Sequence, residues 1–205
     1  MEAIIDYKLS EFLQITDINL ITNYLFVLDL LKPLKSIDNP RFKRWKIWSN
    51  KEPKQLIIKA PRELTFADVT NIRNYFNEAT IHGVIESVKL VSGLSEREIL
   101  ELRITQFYGI INFMKEDLIQ LANMEINELS DDSFDMNLES VNAKGRMARF
   151  GVLNTIDSLA KEDILRWEEI EKLPYMTVFT KLLMDKEKND IQRELAEIQK
   201  RKQKQ

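Results

Sequence analysis

The first clear hydrophobic pattern along the chain predicts a helix over residues 17–32. Its apolar residues recur at spacings of three and four, as on one helix face: Ile18, Ile21, Leu25, Leu28 and Leu31. Asp17 stands where an N-cap is expected, and Pro33 prevents the helix from continuing. Since other apolar residues lie between those of the stripe, this helix is nearly apolar all round.

A basic β-hairpin is predicted next. Alternation places Lys43, Trp45 and Ile47 on one face of an extended segment, Arg41–Trp48. A turn-rich stretch and then the β-branched segment Gln55–Lys59 follow. We therefore expect two short antiparallel strands.

Residues 64–129 are predicted to form three or four short helices in sequence. Gly93 is a natural left-handed C-cap residue, so one helix should end there. Ser95 and Glu98 then have the spacing of a capping box, in which hydroxyl and carboxylate satisfy each other's backbone N–H groups. A further helix is expected to open at Thr105, with apolar residues at Phe107, Ile110, Ile111, Met114, Leu118 and Leu121.

The pattern weakens between residues 123 and 142, where acids, serine and asparagine accumulate. Pro174 suits the first position of a final helix running to about Arg201, which would be about 42 Å long at 1.5 Å per residue. That length exceeds the diameter of a small domain, so the far end should project.

These patterns together predict a mainly α protein, a bundle of short helices with a small β-hairpin and a long projecting C-terminal helix. Its expected parts are an N-terminal helix with the basic hairpin (1–62), a helical core (63–129), an acidic linker (130–142) and a C-terminal helical segment (143–205).

Composition narrows the possible chemistry. Glycine and proline each occur five times in 205 residues, which leaves few tight turns and disfavours an all-β sandwich. Without cysteine and with one histidine, the chain lacks the residues for disulfides, cysteine-ligated zinc, a thiol nucleophile or a multi-histidine metal centre. Its apolar runs are far too short for a membrane span or a signal peptide, so we expect a soluble, intracellular protein without membrane contact.

Charge is segregated along the chain, although the net charge is only −3. Ten bases and two acids lie between Lys32 and Arg62, whereas eight acids and no base lie between Glu116 and Ala143. If these regions face opposite sides of the fold, copies can attract head to tail, a contact that closes into rings or extends into filaments.

Two features raise the question of catalysis or metal binding. His82 is the single imidazole, and Glu86 one turn later could orient it, but no nucleophile is evident beside them. The acids Asp131, Asp132 and Asp135 lack the alternate spacing and central glycine of a calcium loop. We therefore predict that the chain is not an enzyme and uses neither a metal nor a cofactor.

The basic hairpin is a candidate nucleic-acid site. Lys43, Arg44 and Lys46 could neutralise phosphates, while Trp45 and Trp48 could stack on bases. Strand alternation would hide part of the aromatic set, so a protein partner or simple solvation is favoured over nucleic acid.

The far half of the predicted final helix carries a narrow apolar seam. Its larger apolar residues are Ile191, Leu195 and Ile198, at spacings of four and three, between charged flanks of both signs. Such a stripe suits a groove or a second helix better than a core, so these residues are expected to bind another polypeptide. The alternative is a solvated helix held by its own i to i+4 ion pairs.

Residues 64–121 resemble bacteriophage tail-assembly chaperones, whose pattern is a short helix, a turn into a capped helix and a further short helix. The resemblance lies in Leu64-Thr65-Phe66-Ala67-Asp68, in Val91-Ser92-Gly93-Leu94-Ser95-Glu96-Arg97-Glu98-Ile99 and in Thr105-Gln106-Phe107. Residues 151–191 are similar to the C-terminal part of structural proteins of tailed phages, including crAss-like phages. Here the matching residues are Gly151-Val152-Leu153, Asp157-Ser158-Leu159-Ala160, Asp163-Ile164 and Leu173-Pro174-Tyr175.

Both resemblances imply a phage assembly or virion protein with no catalytic residues to carry over. The expectation is a ring-forming component of the tail or neck, assembled in the host cytoplasm and retained in the virion. Its partners would be other phage structural proteins and further copies of itself. A transient tail-assembly chaperone is the alternative within this class, and a nucleic-acid-binding protein is the alternative outside it.

Overall fold

A computed structural model describes residues 7–42, 53–130 and 140–203. Its helices are α1 (Leu9–Phe12), α2 (Ile18–Asp29), α3 (Phe66–Glu78), α4 (Ile81–Ser92), α5 (Glu96–Leu100), α6 (Ile104–Leu129), α7 (Ala143–Ala148), α8 (Val152–Leu159), α9 (Trp167–Glu171) and α10 (Tyr175–Gln203). The strands β1 (Ser36–Asp38) and β2 (Gln55–Ile57) pair antiparallel. The predicted class, mainly α with a small hairpin and a long C-terminal helix, is confirmed.

The chain forms two compact units. The first comprises the described residues of 1–64 and 68–120, and the second comprises 65–67 and the described residues of 121–205. The four-part division expected from the sequence stays a prediction. None of the helices in the described ranges combines the length and apolar character needed to cross a membrane.

The predicted N-cap of α2 is confirmed. The Asp17 carboxylate accepts hydrogen bonds from the backbone N–H groups of Asn19 and Leu20, at 2.9 and 3.2 Å. At the other end of α2, the side-chain amide of Asn112 on α6 donates to the carbonyls of Leu28, Asp29 and Leu31, at 3.2, 3.3 and 2.9 Å. A residue far along the chain thus satisfies carbonyls that a helix end leaves unpaired.

The hairpin has a different first strand from the predicted one. Gln55–Ile57 pairs with Ser36–Asp38. Of the predicted strand Arg41–Trp48, residues 43–48 lie outside the described ranges. Beyond the strands the arms stay joined at Asn39, whose backbone N–H donates to the Lys54 carbonyl and whose amide donates to the Pro53 carbonyl. Strand β1 was not predicted because it has a single buried apolar residue, Ile37, which is too short a pattern to detect.

The turn between α4 and α5 is as predicted. Gly93 has φ +67°, a left-handed conformation that favours glycine, and its N–H donates to the Lys89 carbonyl at 2.8 Å. Ser95 and Glu98 form the capping box, with the carboxylate accepting from the Ser95 N–H at 2.8 Å.

Helix α6 ends at Leu129, the predicted end of the helical stretch, but it is one long helix where short ones were expected. It begins at Ile104 and runs for 26 residues without a break, so residues 123–129 are helical although their apolar pattern fades. Gly109 lies within it at a close approach: an added Cβ would come 2.5 Å from Leu34, whose N–H donates to the Gly109 carbonyl. Most of the predicted acidic linker, residues 131–139, lies outside the described ranges.

The core of the second unit forms around the start of α10. The backbone N–H of Phe66 donates to the Leu173 carbonyl at 2.9 Å, and its ring stacks on that of Tyr175 with centroids 6.1 Å apart. The apolar residues buried in this unit are Phe66, Leu121, Ile156, Ala160, Ile170, Tyr175, Val178 and Phe179. Helix α10 is therefore fixed to its unit through its first turns.

Candidate functional site

The near half of α10 belongs to the core of the second unit. Tyr175, Val178 and Phe179 are buried, and the Tyr175 hydroxyl donates to the Glu125 carboxylate. Helix α10 starts directly after Pro174, which forms a bridge with Thr65, so the predicted start is confirmed. This half of the helix is anchored to the rest of its unit.

The far half of α10 carries the predicted seam, and its side chains are exposed to solvent. Ile191, Leu195 and Ile198 are 54%, 53% and 47% exposed, and every described residue from 191 onward is exposed. The structure places all three on one continuous helix, at the spacing expected from the sequence.

Charged pairs within the helix accompany the seam. Lys181 bonds to Asp185, Arg193 bonds to Asp190, and Arg201 lies 3.7 Å from Glu197. These pairs join residues three or four apart, so they support the helix locally. The ion pairs of the alternative interpretation are thus present, while the apolar side chains between them stay exposed.

The five predicted contact residues of the basic hairpin, Lys43, Arg44, Trp45, Lys46 and Trp48, lie outside the described ranges. The basic residue next to them is described. Arg41 donates through Nε and Nη2 to the Glu98 carboxylate at 2.6 and 2.9 Å, and through Nη2 to the Gly93 carbonyl at 2.8 Å.

This arrangement has an electrostatic consequence. The Arg41 hydrogen bond, with help from Ser95, lowers the pKa of Glu98 to about 2 although partial burial opposes the shift. Arg41 thus fastens the hairpin to the capped turn of α5, a structural role that the sequence pattern did not suggest.

The first unit contains a cavity of about 420 Å³ that no sequence pattern predicted. At its wall, Asp117 on α6 is only 6% exposed and accepts from Arg62 twice, from the backbone N–H at 3.0 Å and from Nε at 2.5 Å. The Arg62 Nη2 also donates to Gln120 at 2.7 Å. Since the buried carboxylate is satisfied by this arginine, the cluster ties the segment before α3 to α6.

A smaller apolar cleft lies in the second unit, with a volume of about 290 Å³. Its lining residues are Met147, Phe150, Leu153, Asn154, Asp157 and Trp167. The Trp167 indole N–H donates to Asp157 at 3.2 Å, which joins two of the lining residues.

His82 is exposed near the start of α4. The Glu86 carboxylate accepts two hydrogen bonds from Lys89, at 2.8 and 2.9 Å. The carboxylate that was considered as a partner for the His82 imidazole therefore bonds to Lys89. In the described part of the chain, no group of three or more histidine, aspartate or glutamate side chains is placed to hold a metal ion.

Comparisons with known proteins yield no relative. No family model matches the chain, and no curated protein or solved structure matches it at a significant level. The resemblance to tail-assembly and virion proteins therefore stays a prediction.

Proposed function

We propose that this chain is a non-enzymatic assembly protein that acts through protein–protein contacts, with the far half of α10 as its docking element. The observation that carries the proposal is the exposed seam of Ile191, Leu195 and Ile198 on a helix whose near half is anchored in a core. A narrow apolar seam supplies affinity when it enters a groove or pairs with another helix, and the charges beside it set the register.

The resemblance to tailed-phage proteins supplies the setting. In this proposal the chain is a ring-forming component of the tail or neck, assembled in the host cytoplasm and retained in the virion. Its segregated charge supports head-to-tail contacts between copies, and such contacts close into a ring when the rotation per subunit allows. Other structural proteins of the particle would then receive the α10 seam.

Truncation after Met184 tests the docking role. We expect the shortened protein to keep its fold, because the buried residues of α10 precede the cut, and to be absent from assembled particles. Mass spectrometry of purified particles measures incorporation, and circular dichroism of the isolated protein checks the fold.

A matched pair of full-length variants distinguishes the effect of the apolar seam on incorporation from the effect of the helix itself. Replacing Ile191, Leu195 and Ile198 together by glutamine should abolish incorporation, since the helix and its charges remain but the apolar seam is gone. Replacing the exposed flanking residues Gln192 and Gln199 by alanine should leave incorporation unchanged. If the triple variant still enters particles at normal stoichiometry, α10 is not the docking element.

The same preparation distinguishes the alternatives. A stoichiometry that is a multiple of six favours a ring, whereas absence of the wild-type chain from mature particles favours a transient chaperone. Affinity for DNA that falls steeply with salt would favour the nucleic-acid-binding alternative instead.

A further inference from the structure

The outer face of α2 is apolar and exposed. Leu28 is the one residue of this helix that is buried, whereas Leu20, Phe26, Val27 and Leu30 at its C-cap are 38%, 71%, 53% and 72% exposed. At 100° per residue, residues 20, 23, 27 and 30 form one row along the helix, with Phe26 beside it. No charged residue occurs from 18 to 28, so this face has no charge along its whole length.

The opposite side of α2 is firmly held. The Asn112 amide bonds to three carbonyls at its C-terminus, and Lys115 forms a 3.0 Å ion pair with Asp29. In the middle of the helix, the Tyr24 ring lies 6.5 Å from that of Phe12. The exposed face is therefore a fixed surface of the first unit, and water covers side chains that would gain free energy from burial.

We propose that this face binds the same face of a second copy, with the two α2 helices antiparallel about a twofold axis. The charges at the helix ends support this occupant and this direction. Asp17 stands at the N-terminal end, and Lys32 lies just after the C-terminal end. An antiparallel pair brings each Asp17 towards the Lys32 of the other copy, whereas a parallel pair would bring like charges together.

The apolar residues fit the same register. An axis near residue 25 that pairs Asp17 with Lys32 also pairs Leu20 with Leu30 of the second copy, to within one residue. Asn23 then lies near the centre, where one polar side chain fixes register at some cost in stability. The antiparallel helix dipoles add a favourable term, because each N-terminus lies beside a C-terminus.

The resulting dimer is small and reversible, because one helix face buries less than the roughly 800 Å² per partner of a standard interface. It is independent of the α10 seam, so the glutamine variant at Ile191, Leu195 and Ile198 should still dimerise. A failure of the proposed docking role would leave this dimer intact, and the reverse also holds.

Sedimentation velocity of the full chain over a range of concentrations tests the association. The double substitution Phe26→Glu and Leu30→Glu should weaken dimerisation at least about tenfold, because it places charges within an apolar contact. Ile126→Glu is the matched control, since Ile126 is 64% exposed and lies on α6 outside this face. A wild-type chain that stays monomeric at all concentrations, or equal weakening by the control, overturns the proposal.

Cross-linking through introduced cysteines tests the direction of pairing. The chain has no cysteine of its own, so no native thiol competes for the disulfide. Leu20→Cys protein mixed with Leu30→Cys protein should give mainly the mixed disulfide dimer after mild oxidation with copper–phenanthroline. Mixing Leu20→Cys with Ile126→Cys measures links that arise from random collision. Homodimer links in place of mixed ones would show parallel pairing, and yields equal to the collision control would show no specific contact; either result contradicts the antiparallel dimer.

Discussion

The two halves of α10 are one continuous helix with different roles. In the near half Tyr175, Val178 and Phe179 are buried in the core of the second unit, while in the far half Ile191 and Leu195 are about half exposed. The backbone is the same in both, so burial is not what makes the far half helical. Its helix formers and its ion pairs at three- and four-residue spacing are enough to continue an anchored helix.

The density of large apolar residues along α10 distinguishes the part that packs into its own unit from the part that stays exposed. Where large apolar residues are dense, as from Tyr175 to Leu183, the helix packs into its own unit. Where they thin to one seam between charges, as at Ile191 and Leu195, the chain supplies nothing to cover them among its described residues. Stability and recognition are therefore separated along one element.

The largest expected effect comes from the near half. Phe179→Ala should lower the free energy of unfolding by about 3 kcal/mol, because it removes a buried ring and leaves a cavity. Leu195→Ala, in the exposed half, should change it by less than about 0.5 kcal/mol. Urea unfolding followed by circular dichroism measures both. Similar losses from the two substitutions would show that the far half also packs against the protein.

A second prediction contrasts a long-range ion pair with the local pairs of α10. Arg41 and Glu98 are 57 residues apart, and their pair joins the hairpin to α5. Glu98→Gln should therefore reduce the free energy of unfolding at pH 7 by about 1 kcal/mol, as expected for a pair that is partly exposed.

The same pair makes a pH test possible. Since the pKa of Glu98 falls from 4.5 to about 2 on folding, its stabilisation is complete above pH 4.5 and is lost as pH falls towards 2. The variant should lack this part of the pH dependence, which urea unfolding at pH 5 and pH 3 would reveal. A wild-type and a variant that lose stability equally over this range would contradict the assignment.

The smallest effect is expected from the local pairs. Arg201→Ala removes a pair whose partner, Glu197, lies one turn away and is also exposed. We expect a change of less than about 0.5 kcal/mol in the free energy of unfolding and only slight fraying of the last turn by circular dichroism. A loss as large as that of Glu98→Gln would mean that the far half is coupled to the core.

Local signals could be predicted from the sequence because their chemistry is local. Asp17, Gly93 and the pair Ser95 and Glu98 act within a few residues, and each has the expected role. Strand β1 was not predicted because the three residues around Ile37 carry too little pattern, and its partner Gln55–Ile57 follows only after a long connection. The helical stretch was predicted to its end at Leu129, but the unbroken length of α6 was not, because helix propensity continues after the apolar stripe fades.

The features of the candidate site also divide into those that local spacing predicts and those that depend on tertiary packing. The seam of α10 follows from spacing alone, so the positions of Ile191, Leu195 and Ile198 could be predicted, while their binding role stays a prediction. The buried bond of Arg62 to Asp117 and the apolar cleft beside Trp167 depend on tertiary packing, which no spacing rule encodes. Exposure of the α2 face could not be predicted either, because it also depends on tertiary packing, although the sequence showed that this helix is apolar nearly all round.

The amide of Asn112 at the end of α2 has a consequence for synthesis of the chain. Its hydrogen bond to the Leu31 carbonyl spans 81 residues, so the end of α2 is completed only when Asn112 has been made. At roughly 5–20 residues per second, that interval is about 4 to 16 s. During this time the nascent chain presents α2 without its contacts to α6 and with its outer face exposed. We therefore expect this segment to be where the emerging chain is most prone to aggregate and most in need of chaperone binding.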